Sequence, residues 1–213
     1  MTDQDSPLIS VVVLNWNGRP VLDNCLKSLN DQTYRPLEII VVDNASTDGS
    51  AGDVRHKFPE VKLIVNETNL GFGAGNNIGI QASQGIYIMI LNNDTRVDPR
   101  CVEELKQSIE KDKNYGACAS KILLEKSPDI IDGVGIVVCP DGLSFGRGRL
   151  EKSDRFRGWV RGGRLLRKPA HLRRFLHPAA QGGDPAQREA SRECLRRFSP
   201  RDRSRLLTSV HRR

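Results

Sequence analysis

The sequence predicts an α/β fold: a mostly parallel sheet with helices on its faces, followed by a poorly structured, arginine-rich tail. Three observations lead there. Short runs of β-branched and aliphatic residues recur along residues 8–91, each followed by polar residues and then a helical pattern. The runs lack the polar-apolar alternation of a half-exposed strand, so they read as strands buried on both faces, as parallel strands are. Near residue 156 the composition changes, and no further alternation follows.

Leu8–Leu14 is the first buried-type strand, ending in Asn15-Trp16-Asn17-Gly18. Val21, Leu22, Cys25, Leu26 and Leu29 then fall at helical spacing. Leu37–Val42 is the second strand, ending in Asp43-Asn44. The capping and turn residues of 45–50 open a short helix to about Lys57. Val61–Val65 is the third strand, and the glycine-rich stretch Gly71–Gly75 leads into a helix through about Ser83. Ile86–Leu91 is the fourth strand, breaking into Asn92-Asn93-Asp94-Thr95. Asp98 and Pro99 read as N-cap and first residue of a helix to about Lys111, with Glu103 and Glu104 matching its dipole. Strand–helix alternation with short connections implies a parallel, doubly wound sheet. Gly116–Leu124 and Val134–Val138 are further predicted strands, and Cys139-Pro140-Asp141-Gly142 is a predicted turn into Leu143–Phe145.

The net charge of +7 divides unevenly. Residues 1–156 hold 17 Lys and Arg against 22 Asp and Glu, whereas 157–213 hold 16 against 4, and all 14 isoleucines and 12 asparagines precede residue 157. Two pieces are therefore expected: a folded half over 1–156, and a basic tail over 157–213 that is disordered or non-native and unable to build a packed layer, with one short helix near Gln187–Phe198. No apolar run approaches eighteen residues, and the acidic start does not resemble a signal peptide. The five scattered cysteines, with no CxxC pair, read as reduced thiols, which places the chain in the cytoplasm.

The strand ends carry the chemistry. In an open α/β sheet, ligands sit at the carboxyl ends of the strands. Three of the first four strands end in polar residues there: Asn15 and Asn17, Asp43 and Asn44, and Asn92 to Asp94. A carboxylate at the second strand's end can accept from a nucleobase N–H or from ribose hydroxyls; the alternative duty for Asp43 is to cap the turn after it. Gly71, Gly73 and Gly75 would let backbone approach a ligand closely, or simply bend the chain. Asp94, without the capping duty of Asp98, suits Mg²⁺ or Mn²⁺ shared with a diphosphate. A dinucleotide oxidoreductase would place its glycine fingerprint after the first strand, where Asn15-Trp16-Asn17-Gly18 stands instead. No Walker lysine motif is present.

ISVVVLNWNG, IIVVDNASTDGS, NLGFGAGNNIGI and LNNDTRVD, in this order, closely resemble the family 2 glycosyltransferases of GT-A fold, and within them the rhamnosyltransferase-type members. The resemblance covers roughly residues 8–150. It implies transfer of a sugar from a UDP- or dTDP-linked donor to a glycan or lipid-linked acceptor in cell-wall or polysaccharide synthesis, with Mg²⁺ or Mn²⁺ on the diphosphate. It implies a nucleotide pocket lined by Asn15 and Asn17, with Asp43 on the base and Asn76 near the ribose or diphosphate. Asn92 and Asp94 take the first and last places of the family's Asp-x-Asp motif, Asn93 lies between them, and Asp94 is the metal contact. Such an enzyme works in the cytoplasm, with peripheral attachment to the inner face of the cell membrane as an added expectation.

The family's acceptor half carries a Phe-Asp-Glu segment and a Glu-Asp-x-Asp stretch that holds the general base, and neither occurs after Phe156. No catalytic base is therefore identifiable, and His171, His177 and His211 read as solvated. The missing motifs and the compositional break predict a chain read out of frame from near residue 156, with transfer impaired. The other reading keeps the tail as an arginine-rich arm of a non-catalytic nucleotide-binding remnant, directed at nucleic acid or anionic membrane. Nucleic acid is the less expected partner, since few aromatics interleave the arginines.

Overall fold

The computed structural model describes residues 6–111, 115–138, 144–155 and 205–208. Its centre is a six-stranded sheet of β1 (Ile9–Asn15), β2 (Leu37–Asp43), β3 (Lys62–Val65), β4 (Tyr87–Asn92), β5 (Ala117–Cys118) and β10 (Arg205–Thr208). The order across the sheet is β3-β2-β1-β4-β10-β5, and every pairing is parallel. Four helices connect the strands: α1 (Arg19–Asn30), α2 (Ser50–Lys57), α3 (Gly71–Ala82) and α4 (Cys101–Glu110). The first four strands and all four helices fall where the apolar runs and helical spacings predict them.

The continuous apolar runs have the predicted cause. Along β1, Ile9, Val11 and Val13 turn to one face and join Leu22, Leu26 and Leu29 of α1 and Leu105 and Ile109 of α4. Val12 turns to the other face, with Ile40, Val42 and Ile88, against Ile78 and Ile80 of α3. Both faces are covered, so no position in the run tolerates a solvated side chain.

The glycines of 71–75 lie in the first turns of α3, of which Gly71 is the first residue. A Cβ on Gly75 would stand 2.5 Å from Leu14 Cδ1, and one on Gly79 would stand 2.3 Å from Val12 Cγ1. These glycines, one turn apart, let the helix lie close on the sheet. A Cβ on Gly73 would meet nothing within 4 Å, and only Gly71, at φ +78, needs the left-handed region.

Asp98 does serve a turn, two residues before the helix. Its Oδ1 accepts from Arg100 N at 2.9 Å, its carbonyl accepts from Cys101 N, and α4 begins at Cys101 instead of Pro99. The predicted strand 116–124 divides into β5 and β6 (Ile122–Leu124). β6 leaves the main sheet to pair antiparallel with β7 (Ser127–Gly133), a strand that Pro128 and two aspartates disguise in the sequence. β8 (Ile136–Val138) pairs antiparallel with β9 (Ser144–Gly146).

β10 departs from the expectation of a tail without a place in any layer. Arg205–Thr208 lies between β4 and β5, with Leu206 beside Ile88 and Ala117. The outer edge of β4 would otherwise present unpaired N–H and C=O groups, and a short apolar segment satisfies them. The predicted turn at 139–142 and helix near 187–198 lie outside the described residues, as do the three tail histidines. Among the described residues no helix is long and apolar enough to cross a membrane, and Cys25, Cys101 and Cys118 are free, buried thiols.

Candidate functional site

Parallel register brings the ends of β1, β2 and β4 level. Asn15 stands beside Asp43 across one ladder, and Leu14 beside Asn92 across the other. Asn15, fully buried, ties the three ends together. Its Nδ2 donates to Asp43 Oδ1 at 2.9 Å and to Ser50 Oγ at 2.8 Å, and its Oδ1 accepts from Asn93 Nδ2 at 2.8 Å. Asp43 and the segment that carries Asp94 are therefore joined through one side chain, on one edge of the sheet.

Gly18 makes that bond possible. A Cβ there would lie 2.0 Å from Asn93 Nδ2 and 2.4 Å from Asn15 Oδ1. The β1–α1 and β2–α2 loops are stapled further by Asn17, whose N–H donates to Ser46 Oγ and whose Oδ1 accepts from Thr47 N at 2.8 Å. Asn17 at φ +51 and Ala45 at φ +61 both hold left-handed conformations. Such strain costs about 1–3 kcal/mol per residue, and the network around them offsets it.

Several of the predicted site residues are buried and tied into the protein's own hydrogen bonds. Asp43 is 1% exposed, with Oδ1 on Asn15 and Oδ2 accepting from Ser46 N at 3.0 Å, so its turn-capping duty is real. Asn44 is buried and its amide is used within the protein. It donates to Asn69 Oδ1 at 2.7 Å and accepts from Asn66 Nδ2 and Leu70 N. It holds the β3–α3 connection. Asn76 is buried on α3; its Nδ2 donates to Phe72 O, while its Oδ1 has no partner among the described residues.

At the end of β4, Asn92 O accepts from Thr95 N at 3.2 Å and from the Cys25 thiol at 3.6 Å. Burial, and then the neighbouring Asp94 carboxylate, push that thiol up to about 12. Asp94 thus sits directly above α1. It lines a cleft of about 680 Å³ together with Thr95, Ser120, Lys121 and Asp132. Thr95 Oγ1 is buried without a partner among the described residues.

No group of three or more His, Cys, Asp or Glu able to hold a metal occurs among the described residues. One carboxylate among amides and hydroxyls fits an ion that arrives on a diphosphate, since Mg²⁺ is held by one or two carboxylates plus substrate phosphates. It does not fit a resident ion in an all-protein cage.

Sequence reasoning missed Trp16, Gly18, Thr95, Ser120 and Asp132. Trp16 had a signal: an indole between two asparagines at a strand end has no core to join, and it is 58% exposed. Ser120 and Asp132 had none: Ser120 lies in the loop after β5, and Asp132 on a strand of mixed polarity.

Comparison with known proteins agrees with this geometry. The model of glycosyl transferase family 2 matches residues 10–131, the span that holds Asn15, Asp43, Asn92 to Asp94 and Ser120. Glycosyltransferase GlyG of Streptococcus pneumoniae is 38% identical over 110 residues, covering 50% of this chain and 36% of its own. An uncharacterized glycosyltransferase of Haemophilus influenzae is 32% identical over 133 residues, covering 60% of this chain and 41% of its own. The chain thus spans well under two thirds of these relatives. The crystal structure of S. aureus TarS 1–349 in complex with UDP-GlcNAc superposes with a TM-score of 0.50 at 22% identity, over 55% of this chain and 35% of that one. The fold is GT-A, Rossmann-like, and the chain belongs to glycosyl transferase family 2.

Proposed function

We propose that residues 1–156 form the donor-binding half of a glycosyltransferase that takes a sugar from a UDP- or dTDP-linked donor, with a glycan or lipid-linked acceptor. The supporting observation is the Asn15 side chain, which joins Asp43 to Asn93 and so puts the second strand's carboxylate and the Asp94 segment on one edge. The nucleoside lies at the ends of β1 and β2. The exposed Trp16 ring offers it a stacking face, and Asn17 offers polar contacts. Each Asp43 oxygen is engaged once, which leaves lone pairs for a base N–H. The unsatisfied Asn76 Oδ1 accepts from the ribose or from a hydrated phosphate. Asp94, with Asn92 and Asn93 beside it, holds Mg²⁺ or Mn²⁺ on the diphosphate, where the ion's charge stabilises the departing group.

No base for the acceptor hydroxyl is assigned, and transfer by this chain is low or nil. The domain division at residue 156 and the out-of-frame reading beyond it belong to the same proposal. Coding DNA tests them, since another frame downstream should spell Phe-Asp-Glu and Glu-Asp-x-Asp.

Calorimetric titration of UDP and dTDP with and without Mn²⁺, on the wild type and on Asp94→Ala, tests the donor site. Metal-dependent binding is expected in the wild type, weakened at least tenfold in the variant. Equal affinity in both removes Asp94 from the metal role.

A further inference from the structure

The cleft beyond Asp94 has a second wall that neither the motifs nor the nucleotide reading uses. Across the sheet, the carboxyl ends run in the order β2, β1, β4, β10, β5. Strands lie about 4.8 Å apart, so β4 is roughly 10 Å and β5 roughly 19 Å from β2. A nucleoside at β1 and β2 with its diphosphate at β4 must therefore send its third part toward the end of β5. Cys118 of β5 stands level with Leu207, which stands level with Met89. Ser120, two residues further on, emerges at the same sheet edge as Asn92.

There the cleft is lined by Ser120 after β5 and by Asp132 on β7, together with Asp94 and Thr95. Ser120 is 93% buried by its 7% exposure, and no hydrogen bond or ion pair engages its side chain or that of Asp132 among the described residues. Thr95 Oγ1 is a covered atom without a partner among the described residues. Lys121, by contrast, is drawn away, its Nζ on Ser153 O at 3.3 Å. Buried polar groups normally find partners, and a cleft lined by the unpartnered Thr95 hydroxyl, the Ser120 hydroxyl and the half-buried Asp132 carboxylate suits a ligand rich in hydroxyls. Its volume of about 680 Å³ is ample for a sugar ring.

We infer that Ser120 and Asp132 bind the hydroxyls of the donor's sugar and discriminate among sugars. This rests on the proposed nucleotide–diphosphate placement. The Asp132 carboxylate accepts from a pair of ring hydroxyls, and Ser120 both donates and accepts. A sugar lacking the matching hydroxyl leaves both groups shielded by the ligand and without its hydrogen bond, which is how a polar pocket rejects an analogue.

The test uses the full chain with Mn²⁺ and five compounds: UDP, UDP-glucose, UDP-GlcNAc, dTDP and dTDP-glucose. For the wild type, at least one nucleotide-sugar is expected to bind more tightly than its own nucleoside diphosphate. Ser120→Ala and Asp132→Asn each reduce that ratio about three- to tenfold, while affinity for UDP and dTDP alone stays unchanged. Hydrogen exchange gives an independent readout: the nucleotide-sugar slows exchange in 120–133, and the bare diphosphate does not. If the diphosphates bind but no sugar adds affinity, or the gain survives both substitutions, this inference falls and the nucleotide reading stands. If neither UDP nor dTDP binds, the nucleotide reading falls and takes this inference with it.

Discussion

Two stretches of the same sheet edge are built in opposite ways. At the ends of β1 and β2, the polar groups of Asn15, Asp43, Ser46 and Ser50 are paired with one another, and Asn44 is paired with Asn66, Asn69 and Leu70. Past the end of β4, the hydroxyls of Thr95 and Ser120 and the carboxylate of Asp132 are not engaged by any described residue. The first stretch is rigid before a ligand comes, since a fully satisfied buried network fixes its own geometry. The second holds groups whose partners come from outside. A donor would then meet a preformed nucleoside seat and a sugar wall that is completed only by the sugar.

Asn15→Leu should break the first stretch, with the largest effect. It removes the partner of the Asp43 carboxylate, of Ser50 and of Asn93 at one stroke, and leaves a buried charge short of a donor. The expected loss is about 3–5 kcal/mol, read from urea unfolding, and UDP affinity should fall with it. A cost below about 1 kcal/mol would mean that the network is not what holds the three strand ends together.

That network also marks where the sequence is legible. Buried parallel strands must be apolar throughout, so β1, β2 and β4 are plain in the sequence, and their polar ends follow. What a linear reading cannot give is direction. Asn44 and Asn17 look alike in sequence, yet Asn44 turns inward to hold Asn69 and Leu70 while Asn17 stays exposed. Gly71–Gly75 reads as a lead-in to the helix because glycine disfavours helix, but α3 already includes it, and the sheet beneath Gly75 and Gly79 admits no Cβ. β7 is hidden because one residue of it, Ile131, is fully buried while Pro128 and Asp129 face water. β10 is hidden because its pairing is set by the vacant edge of β4, some 115 residues earlier in the chain.

Alkaline pH sharpens the comparison from beneath the edge. Cys25, Cys101 and Cys118 are each pushed from 9.0 up to about 12, chiefly by burial. The folded state holds these protons where the unfolded chain releases them. Their contribution is complete below pH 9 and is lost as pH rises from 9 through about 12. Stability at pH 10 should fall by about 4 kcal/mol for the three thiols together, relative to pH 8, read from urea midpoints. Asp94 is the second cause at Cys25, so Asp94→Asn should lessen the fall, whereas a substitution near Cys118 should not. An unchanged fall in Asp94→Asn would separate Asp94 from the α1 side of the cleft.

Thr95→Val gives the smallest change in stability and is the sharpest discriminator. Removing a paired buried hydroxyl normally costs about 1 kcal/mol. Thr95 Oγ1 has no partner among the described residues, so replacing it by a methyl of similar volume removes a desolvated group and breaks no bond. Stability should stay level or rise by up to about 1 kcal/mol, while nucleotide-sugar affinity falls a few-fold and UDP affinity holds. That opposite movement of stability and sugar affinity is the signature of a group kept for a ligand. If Thr95→Val is destabilising, the hydroxyl has a structural partner, and this side of the cleft is built like the edge at Asn15 after all.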